Sequence, residues 1–225
     1  MTSAVIVAAG KGTRMGSGLD KIFLEVAGLP VVGHTWLKFD GHPDIEEIIL
    51  VIREDVRAQF EQLAGKLSLA KPHQLIAGGA ARQDSVTNGL AAVNENCELV
   101  SIHDGARPCT SAKIITDTLV AARKTGAAVA AQKVTDTLKT ATTQNHIDRN
   151  VDRTHLWAVQ TPQVFWLEVI QKAMAAVEEQ GAVVTDDTAA CELIGQPVTL
   201  VSSAEQKPKV TTPADLPLIE LLLSQ

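Results

Sequence analysis

The stretch Ala8-Ala9-Gly10-Lys11-Gly12-Thr13-Arg14-Met15-Gly16, directly after the apolar run Ala4–Val7 and shortly before Lys21, decides how this 225-residue chain is read. The apolar run reads as a buried strand, and the loop that follows is built of small residues with Arg14 and Lys21 close by. A nucleoside triphosphate needs that combination: backbone N–H groups that can approach it closely, and positive charge beside its phosphates. The spacing departs from two better-known loops. No Gly-Lys-Ser/Thr closes it, so it is not a P-loop. The third glycine falls one residue late for GxGxxG, and no acidic residue stands in a clear ribose-binding position, which argues against a dinucleotide site.

The alternation continues along the chain. Apolar, β-branched runs predict strands at Ser3–Ala8, Glu47–Ile52, His73–Ala77, Leu99–His103, Ala127–Gln132 and Val198–Ser202. Amphipathic segments predict helices at Val31–Phe39, Asp55–Lys66, Arg82–Val93, Ser111–Lys124 and Leu167–Glu179. A last helix is expected after Thr212-Pro213, with Thr212 as N-cap and Pro213 at the first helical position. The pattern implies an α/β fold in one domain, 1–225, with a mostly parallel Rossmann-like sheet and helices on both faces. Ligands then sit at the carboxyl ends of the strands. Ala9–Gly16, Gly78-Gly79 and His103-Asp104-Gly105-Ala106-Arg107 all follow such ends. One segment, at about 133–154, breaks the rhythm: it is polar, Thr-rich and without a helical apolar stripe. It reads as two short strands around a polar turn, a protruding β-arm. An isolated hairpin is marginal in water, so the arm is expected to dock on a second copy and make a homodimer.

Composition narrows the function. The formal net charge of −6 argues against a broad basic face for duplex nucleic acid. Aromatics are 3% and Tyr is absent, which argues against base-stacking platforms. Cys97, Cys109 and Cys191 are odd in number and far apart; with no CxxC and no HExxH, a zinc site lacks support and the thiols read as reduced small hydrophobes of a cytoplasmic protein. No basic leader is expected at the N-terminus, and Glu220 interrupts the apolar run Leu216–Leu223, so no membrane association is expected.

The candidate chemistry is charge placement. Attack on an α-phosphate builds negative charge on nonbridging oxygens, which Arg14 and Lys21 would stabilise more in the transition state than in the ground state. Asp104, at a strand end, can hold Mg²⁺ directly or through water, orient a hydroxyl, or cap the next turn. Arg107 can meet a second phosphate or pair with Asp104. The amides of Gly78-Gly79 and the Ser85 hydroxyl can read the edge of a base, although Asp84 and Ser85 also suit a helix N-terminus. Arg153 and Lys209 can together grip a phosphomonoester. Asp186-Asp187 reads either as a metal pair or as a helix cap, the latter being the commoner use.

Together these pieces resemble the 2-C-methyl-D-erythritol 4-phosphate cytidylyltransferase family. The matching blocks include Ala8-Ala9-Gly10-x-Gly12-x-Arg14-Met15-Gly16, Gly78-Gly79-x-x-Arg82-x-Asp84-Ser85, His103-Asp104-x-Ala106-Arg107-Pro108, Asp136-Thr137-Leu138-Lys139, Thr161-Pro162-Gln163, Thr185-Asp186-Asp187 and Lys209-Val210-Thr211. The resemblance implies that Arg14 and Lys21 are catalytic. It implies that Ala8, Ala9, Gly10, Gly12, Gly79, Ser85 and Ala106 surround CTP. It also implies that Asp104, Arg107, Thr137, Arg153, Thr161, Thr185 and Lys209 position the polyol phosphate, with Thr137 and Arg153 reaching over on the arm of a second subunit. One departure stands out: the family usually has Pro-Lys-Gln where this chain has Asp20-Lys21-Ile22. Proline's φ restraint and glutamine's hydrogen-bonding group are gone, and Asp20 either pairs with Lys21 or points to solvent.

The implied reaction is in-line displacement at the α-phosphorus of CTP, with magnesium-bound pyrophosphate leaving. The alternatives are a cytidylyltransferase for another polyol phosphate such as ribitol 5-phosphate, or a nucleotide-binding regulator without turnover.

Overall fold

The computed structural model describes residues 1–10, 20–203, 205 and 207–225. Gly12 and Arg14 therefore lie outside the described residues. The strands are β1 (Thr2–Val7), β2 (Glu25–Val26), β3 (Leu29–Pro30), β4 (Glu47–Ile52), β5 (His73–Ala77), β6 (Leu99–Asp104), β7 (Ala127–Lys133), β8 (Leu138–Ala141), β9 (Ile147–Val151), β10 (Trp157–Trp166) and β11 (Thr199–Ser202). The helices are α1 (Val31–Asp40), α2 (Arg57–Lys66), α3 (Arg82–Ala91), α4 (Ala112–Thr125), α5 (Leu167–Glu179), α6 (Asp187–Leu193) and α7 (Leu216–Leu223).

Seven strands form the central sheet in the order β11-β7-β10-β6-β1-β4-β5. β1 runs parallel to β4 and β6, β4 to β5, and β11 to β7. Strand alternation assigns each side chain to one of two cores. Ala4, Ile6, Ile48, Leu50 and Ile52 face α1, α2, α4 and α7, where Trp36, Phe39, Phe60 and Leu119 are buried. Val5, Ile49 and Val51 face α3, α5 and α6, packing with Val86, Leu90, Ile170, Met174 and Cys191. A strand buried on both faces favours apolar residues at successive positions, which is why Ile48–Ile52 of β4 reads as a continuous apolar run rather than an alternating one. The expected mostly parallel sheet with helices on both faces is what forms.

Among the described elements, β10 and the two-residue strands β2 and β3 escape the sequence reading, whereas the helix cap offered for Asp186 is found. β10 is ten residues long and antiparallel to both β6 and β7. Its register shifts between Val159 and Gln163, and Pro162, which has no N–H to give to a ladder, sits in that irregularity. The short helix α6 is capped by Asp186, whose carboxylate accepts from the Ala189 amide at 3.0 Å. At the C-terminus, Thr212 and Asp215 close a capping box on a single 3-10 turn, Pro213–Asp215, and α7 starts one turn later than expected.

The arm forms as read. β8 and β9 pair antiparallel, with Asn145 at positive φ in the tip and Lys139 bonded across the strands to Asn150. Since β6 and β7 both oppose β10, they run in the same direction, so the arm leaves the same edge of the sheet as the loop after β6. Cys97, Cys109 and Cys191 are unpaired, and burial pushes the Cys191 thiol up to about 12, as for an inert core residue.

α3 lies unusually close to the sheet. A Cβ at Gly89 would stand 2.6 Å from Val5 Cγ1 and 2.8 Å from Val51 Cγ2. Gly89→Ala is expected to destabilise the protein by about 1–3 kcal/mol through overpacking, although alanine gains roughly 1 kcal/mol in intrinsic helix propensity. Urea denaturation measures the sign, and an unchanged or higher midpoint would show that α3 lifts without cost.

Candidate active site

A cavity of about 640 Å³ opens at the carboxyl ends of β1, β4, β5 and β6. Ala8, Ala9 and Gly10 line it from the end of β1, Gly79 and Ser85 from the β5–α3 turn, and Asp104 and Ala106 from the end of β6. Lys21 and Lys209 complete the part anticipated from sequence. Arg53 and Arg82 also line it and were given no role there.

The floor is held together by close backbone approach. Ala8 N donates to Val51 O at 2.7 Å, Gly78 N to Ile52 O at 2.7 Å and Gly105 N to Val7 O at 2.9 Å, so the ends of β1, β4, β5 and β6 are laced in one row. A Cβ at Gly78 would stand 2.5 Å from Ala9 Cβ, and one at Gly79 would collide with Asp84. The Ser85 hydroxyl accepts from Gly79 N at 3.1 Å and donates to Ala81 O at 3.1 Å. Its proton is thus spent on shaping the loop. Asp84 accepts from Ala81 N at 2.9 Å, which satisfies one open amide at the start of α3.

Asp104 is the electrostatic centre. Lys209 Nζ donates to its Oδ2 at 2.8 Å, Arg107 Nε approaches the same oxygen at 3.4 Å, and Arg82 Nε lies 3.7 Å from Oδ1. Burial by itself would raise this carboxyl, but Lys209, Arg82 and Arg107 hold it well below the usual carboxylate range. Arg82 also forms a bidentate pair with Asp187, at 2.8 and 2.9 Å. Asp187 is buried, and burial raises its pKa even against that arginine. Arg107 turns away from the cavity and donates to Lys207 O at 2.8 Å, while Val210 N donates to Ala106 O at 2.9 Å. These bonds carry the Lys209 segment to the end of β6. Arg82, like Arg53, is a cavity residue that sequence reasoning missed. A cation in the first turn of a helix opposes the macrodipole, and that local conflict is the signal that it has an acidic partner elsewhere.

Thr161 stands behind Asp104, accepting from the Asp104 amide at 3.2 Å and hydrogen-bonded to His103 Nδ1 at 2.9 Å. The other ring nitrogen faces the Thr110 hydroxyl at 3.2 Å. The Thr110 proton goes to Arg107 O, so the bonding pattern assigns the histidine proton to Nε2 and the Thr161 proton to Nδ1. His103 is fully buried and its pKa is pushed down to about 3, mainly by burial.

Asp20 resolves the open question beside Lys21 in a third way: its Oδ2 accepts from Arg53 Nη2 at 2.6 Å. Ile22, in place of an amide, is buried in the core.

Thr137 and Arg153 do not reach this cavity within one chain. They line a separate hollow at the base of the arm, where Arg153 donates to Val134 O at 3.1 Å. Thr185 is exposed just ahead of α6. Asp186 and Asp187 act as cap and as arginine partner, and no cluster of three metal-binding side chains occurs among the described residues. Asp104 is the sole carboxylate among the described residues lining the cavity, and cations face both of its oxygens. That donor set does not fit direct coordination of Mg²⁺.

The histidine carries a pH signature. Folded His103 stays neutral to about pH 3, whereas an unfolded histidine takes up a proton near pH 6.5. The unfolded state then binds more protons, so stability falls below about pH 6.5 at roughly 1.4 kcal/mol per pH unit from this group. Urea midpoints between pH 6.5 and 4.5 should drop more steeply for the wild type than for His103→Asn; parallel slopes would remove His103 as the cause.

Comparison with known proteins matches this architecture. The family model described as 2-C-methyl-D-erythritol 4-phosphate cytidylyltransferase (IspD) matches residues 2–225. The 2-C-methyl-D-erythritol 4-phosphate cytidylyltransferase of Caldanaerobacter subterraneus subsp. tengcongensis is 43% identical over 222 residues, 98% of each chain. The crystal structure of 4-diphosphocytidyl-2C-methyl-D-erythritol synthase from Anaerococcus prevotii superposes with a TM-score of 0.86 at 30% identity, covering 100% of this chain and 98% of that one. The 2-C-methyl-D-erythritol 4-phosphate cytidylyltransferase of Thermus thermophilus superposes with a TM-score of 0.82 at 30% identity, covering 100% of both chains. On the strength of a match that runs from the first strand to the last helix, this chain belongs to the 2-C-methyl-D-erythritol 4-phosphate cytidylyltransferase family.

Proposed function

We infer that this chain is the enzyme that joins CTP to 2-C-methyl-D-erythritol 4-phosphate in isoprenoid biosynthesis. The products are 4-diphosphocytidyl-2-C-methyl-D-erythritol and pyrophosphate. The observation that carries this reading is the cavity at the strand ends. Small residues at Ala8–Gly10 and Gly79 leave room for a nucleotide, and Lys21, Arg82 and Lys209 surround it with positive charge.

A phosphate oxygen of the sugar alcohol attacks the α-phosphorus, the bond to the bridging oxygen breaks, and pyrophosphate departs with that electron pair. The nucleophile is already largely ionised near neutral pH, since its second pKa is about 6, so no general base is required. Catalysis is positioning and charge stabilisation. Lys21 and Arg14 stabilise the charge growing on the α-phosphate, and Lys209, held by Asp104, meets the incoming phosphomonoester. Thr137 and Arg153 complete the acceptor pocket from the arm of a second copy, with Thr185 at its rim. The departure of the arm from the cavity's edge of the sheet and its distance from the cavity of its own chain support this arrangement. The cavity's described residues offer no direct ligand set for magnesium. The unpaired thiols support a cytoplasmic setting, and no helix among the described residues is long and apolar enough to cross a membrane.

Pyrophosphate release from CTP with methylerythritol phosphate tests the reaction, and ribitol 5-phosphate in its place should release little. Lys21→Ala and Arg14→Ala should each lower kcat by about 10²–10³-fold, as for loss of one preorganised stabilising group. Near-normal turnover in both would end the assignment.

The arm has its own test. Coexpressed Lys21→Ala and Arg153→Ala chains should recover about a quarter of wild-type activity if the arm acts across a two-fold dimer, because half the dimers are mixed and each of these has one intact site. Recovery of nothing would place the arm's action within one chain.

A further inference from the structure

Lys21 sits in a single 3-10 turn, Lys21–Phe23, between two anchored neighbours. On one side Ile22 is buried, and Phe23 packs edge-on against Phe60 with ring centroids 4.9 Å apart. On the other side stands Asp20, at the N-cap. An aspartate there ordinarily accepts a hydrogen bond from the turn's own amides. Asp20 makes no such cap; its carboxylate instead reaches the Arg53 guanidinium at 2.6 Å. Arg53 follows the last residue of β4 and is itself held by Asp55, at 3.1 Å from Nε. Both partners are largely buried, with side chains 18% and 16% exposed.

The arrangement is a poor device for stability alone. Asp20 Oδ1 and Arg53 Nη1 are both buried and find no hydrogen-bond partner among the described residues. A pair with unsatisfied buried atoms forfeits much of its Coulombic gain to desolvation, and such pairs are better explained by the geometry they impose. The geometry imposed here is the attachment of the Lys21 turn to the carboxyl end of β4, which belongs to the row of strand ends forming the cavity floor.

We propose that Arg53 is a positioning residue for the transfer reaction: through Asp20 it clamps the Lys21–Phe23 turn to the end of β4 and so holds the Lys21 ammonium over the nucleotide's phosphates. This rests on the activity inferred above. Arg53 supplies the counter-charge that keeps the Asp20 carboxylate directed at β4. Loss of either partner loosens the same turn, so the two act as one unit.

The test is a double-mutant cycle in kcat and KM, with thermal unfolding of each variant as the control for folding. Arg53→Gln and Asp20→Asn should each lower kcat by about 10-fold or more, with KM for methylerythritol phosphate unchanged. The double variant should be no worse than either single one, and Arg53→Lys should recover part of the loss. Wild-type kcat in Arg53→Gln would overturn the proposal. So would a raised KM for CTP in Arg53→Gln beside a normal Asp20→Asn, because Arg53 would then act on the nucleotide itself. A second readout does not depend on turnover. In protein reductively methylated with ¹³C, the Lys21 dimethylamine signal, assigned with Lys21→Arg, should narrow in Arg53→Gln and in Asp20→Asn as the turn gains freedom; an unchanged signal in both would also overturn the proposal. A wild-type protein that releases no pyrophosphate refutes the activity reading, and the Lys21 signal still decides the clamp.

Discussion

A buried carboxylate needs counter-charge, and Asp104 obtains it from distant parts of the chain. Lys209 lies 105 residues away along the sequence in the segment before α7, Arg82 opens α3, and Arg107 is three residues on; all face the same group. Without these cations the carboxyl would be driven toward its neutral form by burial. With them, the end of β6, the start of α3 and the segment before α7 are drawn to one point. The arrangement therefore depends on an interaction that involves no substrate: Asp104 gathers the cations at one side of the cavity.

The surrounding structure keeps that point steady. Thr161, carried by the irregular part of β10, accepts from the Asp104 amide and donates a hydrogen bond to Nδ1 of a neutral His103. Arg82 is braced from behind by Asp187, which Gln163 of β10 contacts through the Asp187 amide at 3.1 Å. β10 thus supports both the anion and one of its cations. This gives a physical reason for an antiparallel strand in an otherwise parallel sheet: it enters the ligand-binding edge from outside and delivers side chains where parallel neighbours would place only strand ends.

The glycine turn and the Asp20–Arg53 pair do complementary work. Gly78 and Gly79 remove side chains so that backbone can come close, and Ser85 spends its hydroxyl keeping that shape. Around this small-residue floor, cations are held at the rim by acidic partners that belong to neighbouring elements. Charged side chains held in this way keep a fixed orientation, which is the condition for electrostatic preorganisation.

The sequence by itself determined most of the elements and the edge of the sheet at which the cavity opens. Runs such as Glu47–Ile52 and Leu167–Glu179 were legible to the residue, because apolar periodicity and capping are local properties. The parallel alternation placed Ala8–Gly10, Gly79, Ser85, Asp104 and Ala106 together, since strand direction alone puts their loops on one edge. β10 was hidden because Gln160-Thr161-Pro162-Gln163 reads locally as a break, and its pairing with β6 and β7 is non-local. The short-range pair of Arg107 with Asp104 was legible as one alternative, but tertiary structure alone decided the long-range charge pairs. Asp20 meets Arg53 across 33 residues and Arg82 meets Asp187 across 105, and no local pattern can specify which of many acids a given arginine will face. Coulomb energy depends on distance in space and on burial, and both are set only when the sheet has brought the ends of its strands together.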